Sequence, residues 1–280
     1  MGDLAIETAV ARGEGPGVYR ATLSRDWEIW GPMGGYVASI ALRAAAAGSP
    51  FARPASFFCQ YHGVAAFDVV DLQVTTLRSA KTAIAQRVEM RQGDRPILEA
   101  TIWSVGDVDG LAHDVTTPPD VTSPDDTPFI DERLSPEELE RGGPGFPFWN
   151  NLEVKPLDWV DDWESRDRTP RWREWVRFVP TATFDDPWID ACRSLIVIDV
   201  QSWPSASRAH DDHNFIAPSL DLYVAFHSPK PASEWMLADG FAPIARDGLM
   251  AWNGRTWADD GTLIASGAGQ MLCRRVPQQQ

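Results

Sequence analysis

The run Trp30-Gly31-Pro32-Met33-Gly34-Gly35-Tyr36, leading into Val37-Ala38-Ser39-Ile40-Ala41-Leu42-Arg43-Ala44-Ala45-Ala46-Ala47, most constrains what this chain can fold into. Two glycines open it, Gly48 closes it, and nothing between them breaks a helix. Val37, Ile40, Ala41, Ala44 and Ala45 fall at helical spacing, and the other positions are nearly as apolar, with Ser39 and Arg43 as the polar exceptions. A helix that is apolar all round offers no face to water, so other elements must wrap it.

The following residues supply a wrapper. Four β-type runs, Ala55 to Tyr61, Val69 to Leu77, Ala83 to Arg91 and Ile97 to Val105, are separated by turn signals at His62-Gly63, Arg78-Ser79 and Gln92-Gly93-Asp94. A buried helix followed by an antiparallel meander is the layout of a hotdog domain, in which a curved sheet rolls around one long helix. A core helix in some other α+β domain would read the same way. The Gly-Gly helix start, the strand Phe57-Phe58-Cys59-Gln60-Tyr61 and the segment Arg95-Pro96-Ile97-Leu98-Glu99-Ala100-Thr101 resemble the first half of the acyl-CoA thioesterase II family, a fused double hotdog.

The second half repeats the pattern. Leu152 to Leu157 and Trp172 to Val179 alternate like strands. Asp186 then supplies an N-cap and Pro187 a first helical residue, with Ile189, Cys192, Ile196 and Val200 on one stripe, which predicts a second helix to about Ser202. Strand-like runs follow at Ser219 to His227, Glu234 to Phe241, Gly248 to Ala258 and Thr262 to Arg274. The turn at Asp259-Asp260-Gly261 echoes the one before Pro96, giving an internal repeat of roughly 120 residues, too long for a solenoid and suited to a duplicated domain. The expected fold class is therefore α+β, a double hotdog. The resemblance implies two tandem hotdog domains whose sheets join edge to edge into one continuous curved antiparallel sheet around two long helices. The expected boundaries are an N-terminal hotdog over 1–105, a linker over 106–150, a C-terminal hotdog over 151–276 and a tail over 277–280.

Two stretches lie outside the repeat. At the N-terminus, Ile6 to Val10 and Val18 to Leu23 read as a hairpin around the turn Gly13-Glu14-Gly15-Pro16-Gly17. Trp27 and Trp30 beside the first helix suit either the mouth of a ligand channel or a hydrophobic staple. Gly106 to Asn150 is rich in Asp, Glu, Pro and Gly, which reads as a linker with little apolar surface to bury. A short helix is expected from Ser135, where Ser-Pro-Glu-Glu gives a cap, a first-position proline and first-turn acids.

Composition narrows the function classes. At 280 residues and 44% hydrophobic, the chain exceeds the usual single-domain size and can bury a sizeable core. Its 13 tryptophans suit an apolar cavity or interface as well as ordinary core filling. A net charge of -15 and a pI near 4.7 argue against nucleic acid or an anionic membrane as partner, since both reward clustered Lys and Arg. An acidic carrier-protein surface is disfavoured for the same reason. Cys59, Cys192 and Cys273 sit singly in apolar runs, as reduced core cysteines do. No signal-peptide pattern or membrane-length apolar run occurs, so a cytoplasmic protein is expected. A homodimer or higher homo-oligomer is expected as well.

Asp221 is the leading catalytic candidate, because a carboxylate in the apolar strand Ser219-Leu220-Asp221-Leu222-Tyr223-Val224-Ala225-Phe226-His227 must be hydrogen-bonded or held for chemistry. An aspartate that ties down a neighbouring loop is the alternative. The Leu-Asp followed by Phe-His-Ser-Pro resembles the Ile-Asp and Phe-His-Arg-Pro pattern of the thioesterase family's second domain. There the resemblance implies an aspartate that orients and activates a water for attack on the thioester carbonyl. It also implies a threonine on a following strand and a glutamine on the last strand. An ungapped count places Pro243 at the threonine and Gly269 at the glutamine, so Gln270 takes that role only if a bulge precedes it. Free N–H groups of Gly34, Gly35 and Tyr36 would receive the oxyanion, unless the glycines serve only close helix packing.

The remaining motifs are weaker. His62 and His227 end corresponding strands, and His210-Asp211-Asp212-His213-Asn214 lacks a further ligand at metal-site spacing. No Gly-x-Ser-x-Gly elbow, phosphate loop or dinucleotide fingerprint is present, so no cofactor or metal is assigned. The expected function is an acyl-CoA thioesterase acting on a fatty or related acyl-CoA through an Asp-activated water. The alternative is a catalytically degenerate hotdog that binds acyl-CoA or another apolar ligand without turnover.

Overall fold

The computed structural model describes residues 1–135, 137, 145–212 and 214–276. Its first half carries α1 (Leu4–Glu7), β1 (Ala11–Arg12), β2 (Val18–Thr22), α2 (Gly34–Gly48), β3 (Arg53–Tyr61), β4 (Val69–Ser79), β5 (Ala83–Gln92) and β6 (Arg95–Val105). The second half carries β7 (Leu152–Pro156), β8 (Arg171–Phe178), α3 (Pro187–Val200), α4 (Ser202–Ser207) and β9 (Phe215–Ile216). It continues through β10 (Asp221–Phe226), β11 (Met236–Arg246), β12 (Leu249–Ala258), β13 (Leu263–Leu272) and β14 (Arg274–Arg275).

One 12-stranded sheet runs in the order β1-β2-β4-β5-β6-β3-β10-β13-β12-β11-β8-β7. The halves join where β3 and β10 pair antiparallel, from Asp221 opposite Gln60 to Ala225 opposite Ser56. This is the expected double hotdog, with a meander on each side of a central seam. Both long helices pack on one face of the sheet. In α2, Tyr36, Ala38, Ile40, Ala41, Leu42, Ala44 and Ala45 are fully buried, as its all-round apolar composition requires. Its polar exceptions find partners: the Ser39 hydroxyl donates to the Gly35 carbonyl one turn back at 2.8 Å, and Arg43 reaches Asp186, the cap of the second long helix, at 3.5 Å.

α2 and α3 pack antiparallel against each other, and Gly35 sets how closely. A Cβ at Gly35 would lie 2.8 Å from the Ile196 Cα, so only glycine permits this approach. α3 ends at Val200 and the chain restarts at Ser202 as α4, two residues before Pro204, which has no N–H to continue the helical ladder. The expected run to Ser202 is thus divided in two. Among the described residues, no helix is long and apolar enough to cross a membrane.

Several local expectations change in three dimensions. The Asp3 carboxylate caps Ala5 and Ile6, so part of the expected first strand is the short helix α1, and only Ala11–Arg12 pairs with β2. Trp27 and Trp30 have different surroundings. Trp27 is fully buried, stacked on Tyr36 at 5.1 Å with an interplanar angle of 7°, whereas Trp30 is exposed. Cys59 and Cys192 are buried and Cys273 half-buried, all three as free thiols.

The acidic stretch after β6 packs against the sheet. Val121 and Phe129 cover a cluster of Trp175, Trp235, Leu237 and Trp257 on the face away from the helices, and the Trp175 indole donates to the Thr122 carbonyl at 2.9 Å. Part of the tryptophan excess therefore forms a second, smaller core under this segment. The helix expected from Ser135 falls largely on residues outside the described ones, as does the 277–280 tail.

Candidate active site

The ends of α2 and α3 meet at Asp199, which lies in the last turn of α3. A carboxylate is disfavoured at a helix C-terminus and favoured at an N-terminus, and the N-terminus of α2 faces it here. The Gly35 N–H donates to Asp199 Oδ2 at 2.7 Å, and the Ser219 hydroxyl donates to Oδ1 at 3.1 Å. Asp199 is only 6% exposed. Burial pushes its carboxyl up to about 6, while the Gly35 amide and the Ser219 hydroxyl hold it down. It is thus ionised near neutral pH yet markedly more basic than an ordinary aspartate.

An apolar cavity of about 620 Å³ opens beside this carboxylate. Met33, Gly34, Val37 and Tyr61 form part of its wall, with Trp149 and Trp203 further along. Trp30, Val64, Phe146 and Leu220 belong to the same wall and are exposed, which gives the mouth an apolar rim suited to a ligand. Among the described residues, Asp199 is the only carboxylate and His62 the only histidine in the lining. A second hollow, at the start of α3 between Pro187, Asp190 and Phe226, has only about 20 Å³. The buried Asp190 there is committed to Arg193 rather than to open space.

Asp221 does not face the cavity. Leu222 and Val224 are fully buried, so strand alternation puts Asp221 and Tyr223 on the opposite face of the sheet. Asp221 Oδ1 accepts the Gln270 backbone N–H at 3.0 Å, which is the tie-down role left open as its alternative. Gln270 is opposite Ala251 in a register that runs without interruption from Leu272 back to Ala265, and the irregularity of this hairpin lies between Thr256 and Trp257. No bulge turns Gln270 inward, and its side chain shares the exposed face with Asp221. Gly269 faces inward instead, against the Trp252 ring. The structure brings Asp221 and Gln270 together, but on the wrong side of the sheet for this cavity.

Pro243 lies exposed at the irregularity of β11 and has no part in the cavity wall. The hydroxyl that meets the carboxylate is that of Ser219, just before β10. Of the three expected amides, the Gly35 N–H is spent on Asp199 and the Tyr36 N–H on Met33 Sδ at 3.2 Å. Only Gly34 lines the cavity. Its N–H belongs to the first turn, which a helix cannot satisfy itself, and no acceptor for it occurs among the described hydrogen bonds. The Tyr36 hydroxyl anchors the N-terminus, accepting from the Ser24 N–H and donating to the Glu7 carbonyl.

His62 sits at the mouth, while His227 is bonded to the Ser266 hydroxyl at 2.8 Å, away from the cavity. Asp211 pairs with Arg166 and Arg168, and Asp212 with Arg275, so both acids of the His-Asp-Asp-His loop are already engaged. His213 lies outside the described residues. Sequence reasoning misses Asp199 because it sits inside the apolar run Leu195-Ile196-Val197-Ile198-Asp199-Val200. The burial argument that singles out Asp221 applies to it equally. Its spacing of seven from Cys192 also places it beside the buried stripe.

A curved antiparallel sheet in two halves around two helices, with a buried carboxylate at the helix junction beside an apolar cavity, defines a double hotdog protein. A family model described as Acyl-CoA thioesterase C-terminal domain matches residues 116–272, and one described as Acyl-CoA thioesterase N-terminal domain matches residues 23–105. The chain belongs to the acyl-CoA thioesterase family, a family of thioester hydrolases. The C-terminal match begins inside the stretch expected as a linker. Acyl-coenzyme A thioesterase 8 of Homo sapiens is 26% identical over 129 residues, covering 45% of this chain and 40% of that protein, so the chain matches less than half of that relative's length. Among solved structures, the acyl-CoA thioesterase II TesB2 of Mycobacterium marinum aligns with a TM-score of 0.79 at 19% identity, covering 99% of this chain and 100% of that one. The tesB protein of Mycobacterium avium subs paratuberculosis aligns with a TM-score of 0.77 at 20% identity, covering 97% and 98%. At these identities the structural likeness speaks for the fold.

Proposed function

We propose that this protein hydrolyses an acyl-CoA thioester, with the acyl group in the apolar cavity and Asp199 as the base that activates water. The observation that carries this reading is the junction itself, where the only carboxylate among the described residues of the cavity wall is held by the Gly35 N–H and the Ser219 hydroxyl. Asp199 accepts a proton from water as the water oxygen bonds to the thioester carbonyl carbon. The Gly34 N–H at the positive end of α2 receives the oxyanion. Collapse breaks the C–S bond, leaving the free acid and a thiolate that regains a proton from Asp199. Ser219, just before β10, rather than a threonine on a later strand, supplies a hydroxyl to this aspartate.

A panel of acyl-CoAs assayed by free thiol release tests this reading. The wild type should turn over at least one chain length, and Asp199→Asn should lose on the order of a hundredfold to ten-thousandfold in kcat, the usual worth of general-base assistance. Full activity in Asp199→Asn would overturn it. The inward-facing Gly269 favours a second reading, because no amide side chain reaches into the cavity from that strand. An inactive wild type that still bound acyl-CoA would select that binding-only protein.

A further inference from the structure

Tyr61 is the last residue of β3. Strand alternation sends it to the helix face together with the fully buried Phe57 and Cys59. It is part of the cavity wall. Its hydroxyl oxygen is closed off from solvent, and no described nitrogen or oxygen atom forms a hydrogen bond with it. It interacts with the Cys59 thiol and with the carboxylate charges of Asp199 and, less, Asp221. A thiol is a weak hydrogen-bond partner, and the carboxylate oxygens are already bonded to Gly35 and Ser219. Native proteins rarely leave a buried hydroxyl unmatched, because its desolvation is not recovered. Such a group in a ligand cavity has a reason to be there when the ligand supplies the acceptor.

Gly34 fixes where that acceptor would lie. A Cβ at Gly34 would come within 2.8 Å of Asp199 Oδ2 and 3.3 Å of the Tyr61 hydroxyl oxygen. The hydroxyl, the carboxylate and the bare first turn of α2 therefore lie close together, and glycine at 34 permits that approach. Burial, with Cys59 and the Asp199 charge beside it, pushes the phenol well up, so it stays protonated and keeps an O–H to donate.

We infer that Tyr61 is a catalytic residue whose hydroxyl donates a hydrogen bond to the thioester carbonyl oxygen, sharing the developing oxyanion with the Gly34 N–H. This rests on the thioesterase reading above and adds the second donor that one amide alone does not supply. Charge accumulates on that oxygen only as the tetrahedral intermediate forms, so the contact should act on kcat more than on KM.

Tyr61→Phe removes the oxygen and keeps the ring. Thiol release from the best acyl-CoA should show kcat reduced on the order of a hundredfold with KM changed little, as for loss of one oxyanion donor. The melting temperature should hold or rise, because an unmatched hydroxyl is removed; a merely structural tyrosine would lose stability and keep kcat. The second readout is the infrared carbonyl stretch of a bound ketone analogue of acyl-CoA, in which a methylene replaces the sulfur. In the wild type the band should lie below its position in water, and in Tyr61→Phe it should move back up. An unchanged kcat with an unmoved carbonyl band would overturn the assignment of Tyr61 and leave hydrolysis by Asp199 standing. A wild type without hydrolytic activity whose carbonyl band still depends on Tyr61 would overturn hydrolysis while keeping Tyr61 as the carbonyl donor. An analogue that failed to bind at all would overturn both.

Discussion

Asp199, one residue from the end of α3, accepts a hydrogen bond of 2.7 Å from the backbone of Gly35, 164 residues earlier at the start of α2. The bond joins the C-terminus of one helix to the N-terminus of the other. The favourable field of α2 thereby offsets the unfavourable one of α3 at a single buried carboxylate.

The two faces of the central sheet are separated by paired substitutions. Asp221→Asn and Gln270→Ala should each keep turnover within about threefold of wild type, since both side chains lie opposite the cavity and general-base losses are far larger. Ser219→Ala should cost an intermediate factor, about tenfold, because it removes only one bond to the base. Rates of thiol release by the three variants and by Asp199→Asn decide the order. A severe loss in Asp221→Asn with intact folding would move the chemistry to the other face.

The pH dependence of turnover follows from the same carboxylate. The proposed base must be ionised to act, and burial pushes the Asp199 carboxyl up to about 6, so kcat/KM should rise with pH through that value and then level off. A limb with its midpoint near 4 would mean that an ordinary, solvated carboxylate is the base.

Stability should move the opposite way over this range. Asp199 is raised from 3.8 to about 6, and burial raises Glu174 from 4.5 to about 7 against its bonds from Trp172 and Gln201. The native state therefore holds these protons more tightly than the unfolded chain. Their stabilising contribution is complete below about pH 4 and is lost as pH rises to about 7, at roughly 1.4 kcal/mol for each pKa unit. Asp211 and Asp260, held at about 2 by their cationic partners, act only below that window. Urea midpoints for wild type and Glu174→Gln at pH 5 and pH 8 check the sign: the wild type should lose more stability between them than the variant.

Gly35→Ala should destabilise the fold by about 1–3 kcal/mol, the usual cost of overpacking, because the added methyl meets backbone rather than a movable side chain. Pushing the helices apart also lengthens the bond to Asp199, so activity per folded molecule should fall as well. Thermal denaturation with parallel thiol-release assays measures both, and an unchanged melting temperature would contradict the packing described.

Trp30→Ala tests the mouth. Trp30 lines the cavity and is 49% exposed, so its truncation should raise KM for long acyl chains several-fold, at about 25 cal/mol for each Å² of apolar surface that the ligand no longer buries. The melting temperature should not change. Trp27→Ala, by contrast, removes a fully buried ring stacked on Tyr36 and should be costly to stability.

The amino-acid sequence by itself determined the architecture. An alanine-rich helix with no polar face, a second capped helix after a like interval, and a meander following each leave few ways to bury their apolar surface, and the double hotdog is one of them. The pairing of β3 with β10, the division of the second helix after Val200 and the packing of the acidic stretch over Trp175 and Trp257 came only with the tertiary structure. So did which carboxylate lines the cavity. Asp199 and Asp221 both stand in apolar runs, and local sequence cannot rank them, because a strand sends alternate residues to opposite faces. Which of those faces meets a cavity depends on contacts between segments far apart in the chain. The junction that selects Asp199 exists only once Gly35, Ser219 and the end of α3 have come together, and no spacing along the chain records that meeting.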